Sequence, residues 1–74
     1  MKIPKVRLQL AKRLRQLRKE KKLSQEKAAE RANLDIRNYQ RLESQKPRAT
    51  RIDTLDRLAK AFDVPLWKLF KFKD

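Results

Sequence analysis

The sequence predicts an all-α fold of five short helices in one domain, and three observations predict it. Apolar residues recur at steps of three and four in two separate stretches, the spacing that lines one face of a helix. Ser24, Asp35 and Thr50 stand just ahead of helix-forming runs, where a side-chain oxygen can accept a hydrogen bond from an otherwise unpaired backbone N–H. A length of 74 residues allows a single domain, close to the margin at which burial balances chain entropy.

Met1 to Lys5 reads as a basic extended arm, because Pro4 disfavours helix at Ile3. The first helix follows from Val6 to about Glu20, with Val6, Leu10, Leu14 and Leu17 as its apolar stripe and Arg7, Lys12, Arg13, Arg15 and Lys19 as its solvated remainder. Ser24 caps the second helix, Gln25 to Arg31, whose inner face is made of Ala28, Ala29 and Ala32. Small residues there let another helix come close. Asn33 falls where the chain must reverse, and Asn accepts the left-handed conformation that a reversal demands. Asp35 caps the third helix, which turns Tyr39 and Leu42 inward and leaves Ile36, Arg37, Gln40 and Arg41 together on the opposite face. A polar loop from Ser44 to Ala49 comes next. Thr50 and Asp53 then form a variant capping box for a fourth helix built on Ile52, Leu55, Ala59 and Phe62, with Leu58 beside them. Asp63 is the next reversal, and Pro65 opens a last helix through Leu66, Leu69 and Phe70. Residues 71–74 form a short tail, so residues 6–70 make up the domain. The chain has no repeat and no Gly/Ser or Pro linker.

The run LSQEKAAERANL, then RLE, then IDTLDRLAKAFDVPLWKLF resembles the helix-turn-helix of lambda-type repressors, Cro proteins and related Xre-like regulators, over Leu10 to Phe70. The resemblance implies a five-helix lambda-repressor-like DNA-binding domain, with the helix-turn-helix at the second and third helices. It implies that Gln25 grips a phosphate, and that Asn38, Ser44, Lys46, Arg48 and Arg51 are the other DNA-backbone candidates. It also implies an ion pair between Arg18 and Glu43. Base reading falls to Ile36, Arg37, Gln40 and Arg41: Arg can fork onto guanine, Gln onto adenine, and an aliphatic chain can cover a thymine methyl. The departures from the family are glycines. It usually has Gly near Lys22, Asn33, Gln45 and Asp63, whereas this chain has none. Asn and Asp tolerate positive φ; Lys22 and Gln45 do so only at a cost.

Composition points the same way. A formal charge of +13, from 22 basic and 9 acidic residues, suits a partner that carries phosphates. Without Cys or His there is no disulfide, no thiol nucleophile, no imidazole base and no ordinary zinc site, so no metal, no cofactor and no enzymatic activity are expected. The first residues are too charged for the apolar core of a signal peptide, which places the protein in a cytoplasm, and the resemblance makes it prokaryotic or phage-encoded. The expected function is a sequence-specific transcription regulator, a repressor or autoregulator, bound as a homodimer to a palindromic operator. Trp67, Leu69, Phe70 and Phe72 are the expected dimer interface, since a tiny domain that leaves aromatic surface at one end commonly buries it in a subunit contact. Two other readings stand beside this one. A basic bundle could adsorb non-specifically to nucleic acid or an anionic surface, but adsorption does not require Ser24, Asn33, Asp35 and Glu43 at those places. An interaction adaptor with the same fold would have no need for Arg37, Arg41, Lys46, Arg48 and Arg51.

Overall fold

The computed structural model describes residues 2–72; Met1 at the tip of the arm and Lys73 and Asp74 of the tail lie outside the described residues. Four α-helices follow one another: α1 (Lys5–Glu20), α2 (Gln25–Arg31), α3 (Ile36–Leu42) and α4 (Ile52–Ala61). The element expected as a fifth α-helix is a 3-10 turn, Leu66–Phe70. Its amides reach back three residues, Lys68 N–H to the Pro65 carbonyl at 3.0 Å and Lys71 N–H to the Lys68 carbonyl at 3.3 Å. The apolar step of three from Leu66 to Leu69 fits a period of 3.0 as well as one of 3.6, and a segment this short gains little from α-helical cooperativity. No helix among the described residues is long and apolar enough to cross a membrane.

Three of the helices end in the same way, and this repeated device sets the path of the chain. Lys22, Asn33 and Asp63 have φ of 56°, 56° and 57°. In each case the following amide bonds back five residues: Leu23 to Arg18, Leu34 to Ala29 and Val64 to Ala59. These are Schellman ends, which satisfy carbonyls that the helix leaves unpaired and tuck the next apolar residue against the core. Leu23, Leu34 and Val64 are indeed partly buried against it. Gln45, the fourth position where the family carries glycine, is not left-handed. There Ser44 closes α3 instead, its hydroxyl donating to the Arg41 carbonyl at 2.7 Å and accepting from Lys46 N–H at 3.2 Å.

The core joins Leu14 and Leu17 of α1, the three alanines at the α2–α3 crossing, Tyr39 and Leu42 of α3, Leu55 and Leu58 of α4, Phe62 and Leu69. Four expectations need correction. Val6 and Ile52 are on the predicted stripes but 51% and 68% exposed, because each sits in a first turn that projects past its neighbours. Thr50 does not cap α4: Arg51 holds the cap position without a side-chain bond, and Thr50 donates to the Arg48 carbonyl instead. Arg13 is not solvated. It is buried, and its Nε donates to the Lys68 carbonyl at 2.8 Å, tying α1 to the 3-10 turn. Leu69 is wholly buried in the core and has no surface to offer a second subunit.

Candidate nucleic-acid interface

Ser24 and Asp35 start the two short helices as expected. The Ser24 hydroxyl accepts from Lys27 N–H at 3.0 Å and the Asp35 carboxylate from Arg37 N–H at 3.0 Å. Ala28, Ala29 and Ala32 are all but inaccessible, so α2 and α3 cross closely. With Tyr39 and Leu42 turned inward, α3 exposes Arg37, Asn38, Gln40 and Arg41. Ile36 differs from the others: it is partly buried and packed on the core, so only part of its side chain is available on this face.

Behind the face lies a buried ionic frame. The Arg18 guanidinium meets the Glu43 carboxylate on two atoms, Nε to Oε2 at 2.7 Å and Nη2 to Oε1 at 3.1 Å. Arg18 Nη1 also donates to the Leu23 carbonyl at 2.9 Å, and Arg15 Nη2 to the backbone carbonyl of Glu43 at 2.8 Å. One bonded cluster thus pins the end of α3 to α1 and to the loop before α2. Burial alone would raise the Glu43 carboxyl, but the hydrogen bond from Arg18, helped by Tyr39 and Gln25, outweighs it and holds the group below its ordinary range. The Glu43 hydrogen bond correspondingly raises Arg18, against the opposing effect of burial. Tyr39 is raised mainly by burial; its hydroxyl is close enough to feel both charges, yet it makes no well-formed hydrogen bond to any described residue.

Gln25 and Gln40 extend this frame to the surface. Gln25 Nε2 donates to Glu43 Oε1 at 3.1 Å, and its Oε1 accepts from Gln40 Nε2 at 3.4 Å. Sequence reasoning placed Gln25 at a phosphate and Gln40 at a base but missed that the two amides meet. The side-chain links of Arg13 and Arg15 were missed as well. Their only sequence signal was position on the flank of the α1 stripe, which is also where a solvated arginine would stand.

The structure brings Asn38, Arg41, Arg48 and Arg51 together around a cleft of about 200 Å³ between α3, the following loop and the start of α4. Arg37 and Lys46 are also exposed, outside that cleft, and Ser44 is half-buried with its hydroxyl engaged in the loop. Among the described residues Arg37, Arg41, Lys46, Arg48 and Arg51 pair with no carboxylate. Their charge is therefore free for an anionic partner. No group of three or more His, Cys, Asp or Glu side chains that could hold a metal occurs among the described residues.

A family profile described as helix-turn-helix matches residues 14–66, which contain the whole of this arrangement. The chain belongs to the lambda-repressor-like, Xre-type helix-turn-helix family. It is accordingly a DNA-binding transcription regulator. Among solved structures, this helix-turn-helix protein is similar to the restriction-modification controller protein C.AhdI from Aeromonas hydrophila, with a TM-score of 0.82 and 33% identity over 86% of this chain and 96% of that one. No curated protein sequence matches. Within this fold the three reversals that need a left-handed backbone are made by Lys22, Asn33 and Asp63.

Proposed function

We propose that the protein regulates transcription as a two-fold dimer on a near-palindromic operator, as a repressor or autoregulator; its similarity to a restriction-modification controller protein supports a regulatory role. The observation that carries this reading is the exposed face of α3 beside the unpaired arginine cleft. An α-helix with its side chains is about 10 to 12 Å across and fits the major groove, which is about 12 Å wide. Arg37, Gln40 and Arg41, with the exposed part of Ile36, are the base readers. Arg48, Arg51, Lys46 and Asn38 hold the phosphates on the flank, Gln25 a phosphate at the start of α2, and Ser44 shapes the loop between them.

Trp67 and Phe70 are 60% and 42% exposed on the 3-10 turn, and Phe72 packs edge-on against Phe70 with ring centroids 6.2 Å apart. This aromatic surface is the dimer contact. The molecule measures 32 Å along its longest axis, so two copies side by side can set their α3 helices one DNA turn apart, roughly 34 Å. Selection of bound duplexes from a random pool tests the reading. A symmetric consensus with half-sites one turn apart is expected; a pool that keeps no consensus would establish non-specific adsorption in its place.

A further inference from the structure

Residues 1–19 contain eight basic residues and no acidic one, and three of the eight, Lys5, Lys12 and Arg13, lie on the side of α1 away from Arg18. The outer faces of α2 and α4 carry local ion pairs, Lys27–Glu30 and Asp56–Lys60. The outer face of α1 does not. Along it runs a cleft of about 410 Å³, lined by Lys5, Leu8, Gln9, Lys12, Arg13 and Gln16 and closed at one side by Phe72. It shares no residue with the arginine cleft beside α3. At 100° per residue, Lys12 and Arg13 point about 120° and 140° around α1 from Arg18, the side chain that faces α3.

Arg13 is the feature that a merely solvated face lacks. It is only 8% exposed, its Nε is taken by a backbone carbonyl, and no carboxylate among the described residues neutralises it. A cation so withdrawn from water is costly unless an anion approaches it.

We infer that this cleft is a docking site for an acidic, partly apolar segment of a partner protein, bound in extended form. The lining runs over eleven steps of α1, from Lys5 to Gln16, or roughly 17 Å. About five residues of extended chain cover that length. Lys5, Lys12 and Arg13 supply charge for its carboxylates, and Leu8 an apolar contact for a bulky side chain. The amides of Gln9 and Gln16 each offer a donor and an acceptor, the pair that a peptide main chain presents. A DNA backbone matches the charge and the amide donors but not the apolar contact.

The test uses the full chain and a fluorescein-labelled peptide of about five residues, aspartates around a central phenylalanine. Anisotropy is read in the presence of saturating unlabelled duplex, so that the DNA face is occupied. The peptide is expected to bind the DNA-loaded protein. Lys12→Glu and Lys5→Glu, both at exposed positions, should each weaken the peptide at least tenfold and leave duplex affinity within twofold. Lys60→Glu on α4 makes the same change in net charge and should leave the peptide bound. Replacing the central phenylalanine by serine should weaken it several-fold. Complete displacement of the peptide by duplex, or equal loss in Lys60→Glu and Lys12→Glu, would overturn the inference. So would tighter binding of phosphatidylglycerol vesicles than of the peptide to the same face. None of these outcomes depends on operator symmetry.

Discussion

Glu43 puts an anion within the frame of a surface that otherwise attracts anions, and its neighbours explain why it is tolerated. Its side chain is 2% exposed; Arg18 and Gln25 bond its carboxylate, and the Arg15 guanidinium donates to its backbone carbonyl. Removing one member of such a pair strands the other charge, so Arg18→Met or Glu43→Gln alone should cost about 3 to 5 kcal/mol. The double variant should recover part of that, with a coupling of about 1 kcal/mol or more in a denaturation cycle. A coupling near zero would show two independent charges. The sign with pH follows from the direction of the shift. Because the folded-state pKa of Glu43 lies below the ordinary 4.5, its stabilisation is complete above that value and disappears as pH falls through the folded-state pKa. The melting temperature of the wild type should therefore drop more steeply on acidification below pH 4.5 than that of Glu43→Gln. A second residue-scale test concerns Lys22. Its left-handed backbone costs about 1 to 2 kcal/mol, and glycine would remove that strain while adding about 0.5 to 1 kcal/mol of unfolded-chain entropy. Lys22→Gly should raise stability by up to about 1 kcal/mol, whereas Lys21→Gly, at φ of −85°, should lower it. A loss in both variants would mean that the Lys22 side chain contributes more than its backbone costs.

At the scale of elements, the C-terminal turn separates two roles that the sequence placed on one stripe. Leu69 is in the core and Trp67 is outside it, so their truncations should fail differently. Leu69→Ala should cost about 2 to 5 kcal/mol of folding stability at any protein concentration. Trp67→Ala should leave the monomer's stability nearly unchanged but raise the dimer dissociation constant at least tenfold in sedimentation. Equal self-association of wild type and Trp67→Ala would remove the turn from the interface. The same turn shows how far an element can be read from the chain. The stripes at steps of three and four made α1 to α4 legible, with caps at Ser24 and Asp35 and reversals at Asn33 and Asp63. The 3-10 geometry was not legible, because Leu66 and Leu69 satisfy both periods. Val6 and Ile52 misled for a related reason: periodicity tells which face of a helix is apolar, but not where its neighbours stop covering it. Arg13 was hidden because burial of a long cation depends on a carbonyl fifty-five residues away.

For the whole molecule, the question is how a chain of charge +13 can discriminate among sequences when every duplex attracts it. Non-specific attraction comes from phosphates and weakens steeply with salt, as condensed counterions are released on binding. Discrimination comes from base edges, which the proposed function assigns to the face of α3. Arg37 and Arg41 are on that face, whereas Arg48 and Arg51 stand across the cleft on the loop and at the start of α4. The two pairs should therefore lose binding in different ways. Arg37→Ala and Arg41→Ala should each lose about 1 to 3 kcal/mol on a selected operator and relax preference at one or two base pairs, with binding to a scrambled duplex little changed. Arg48→Ala and Arg51→Ala should weaken both duplexes alike, and each should flatten the slope of log affinity against log salt by about one unit. Titrations of all four variants on both duplexes across a salt series read these quantities directly. Equal losses on operator and scrambled duplex for Arg37→Ala and Arg41→Ala would remove α3 from base reading, and the charge of the molecule would then account for all of its affinity.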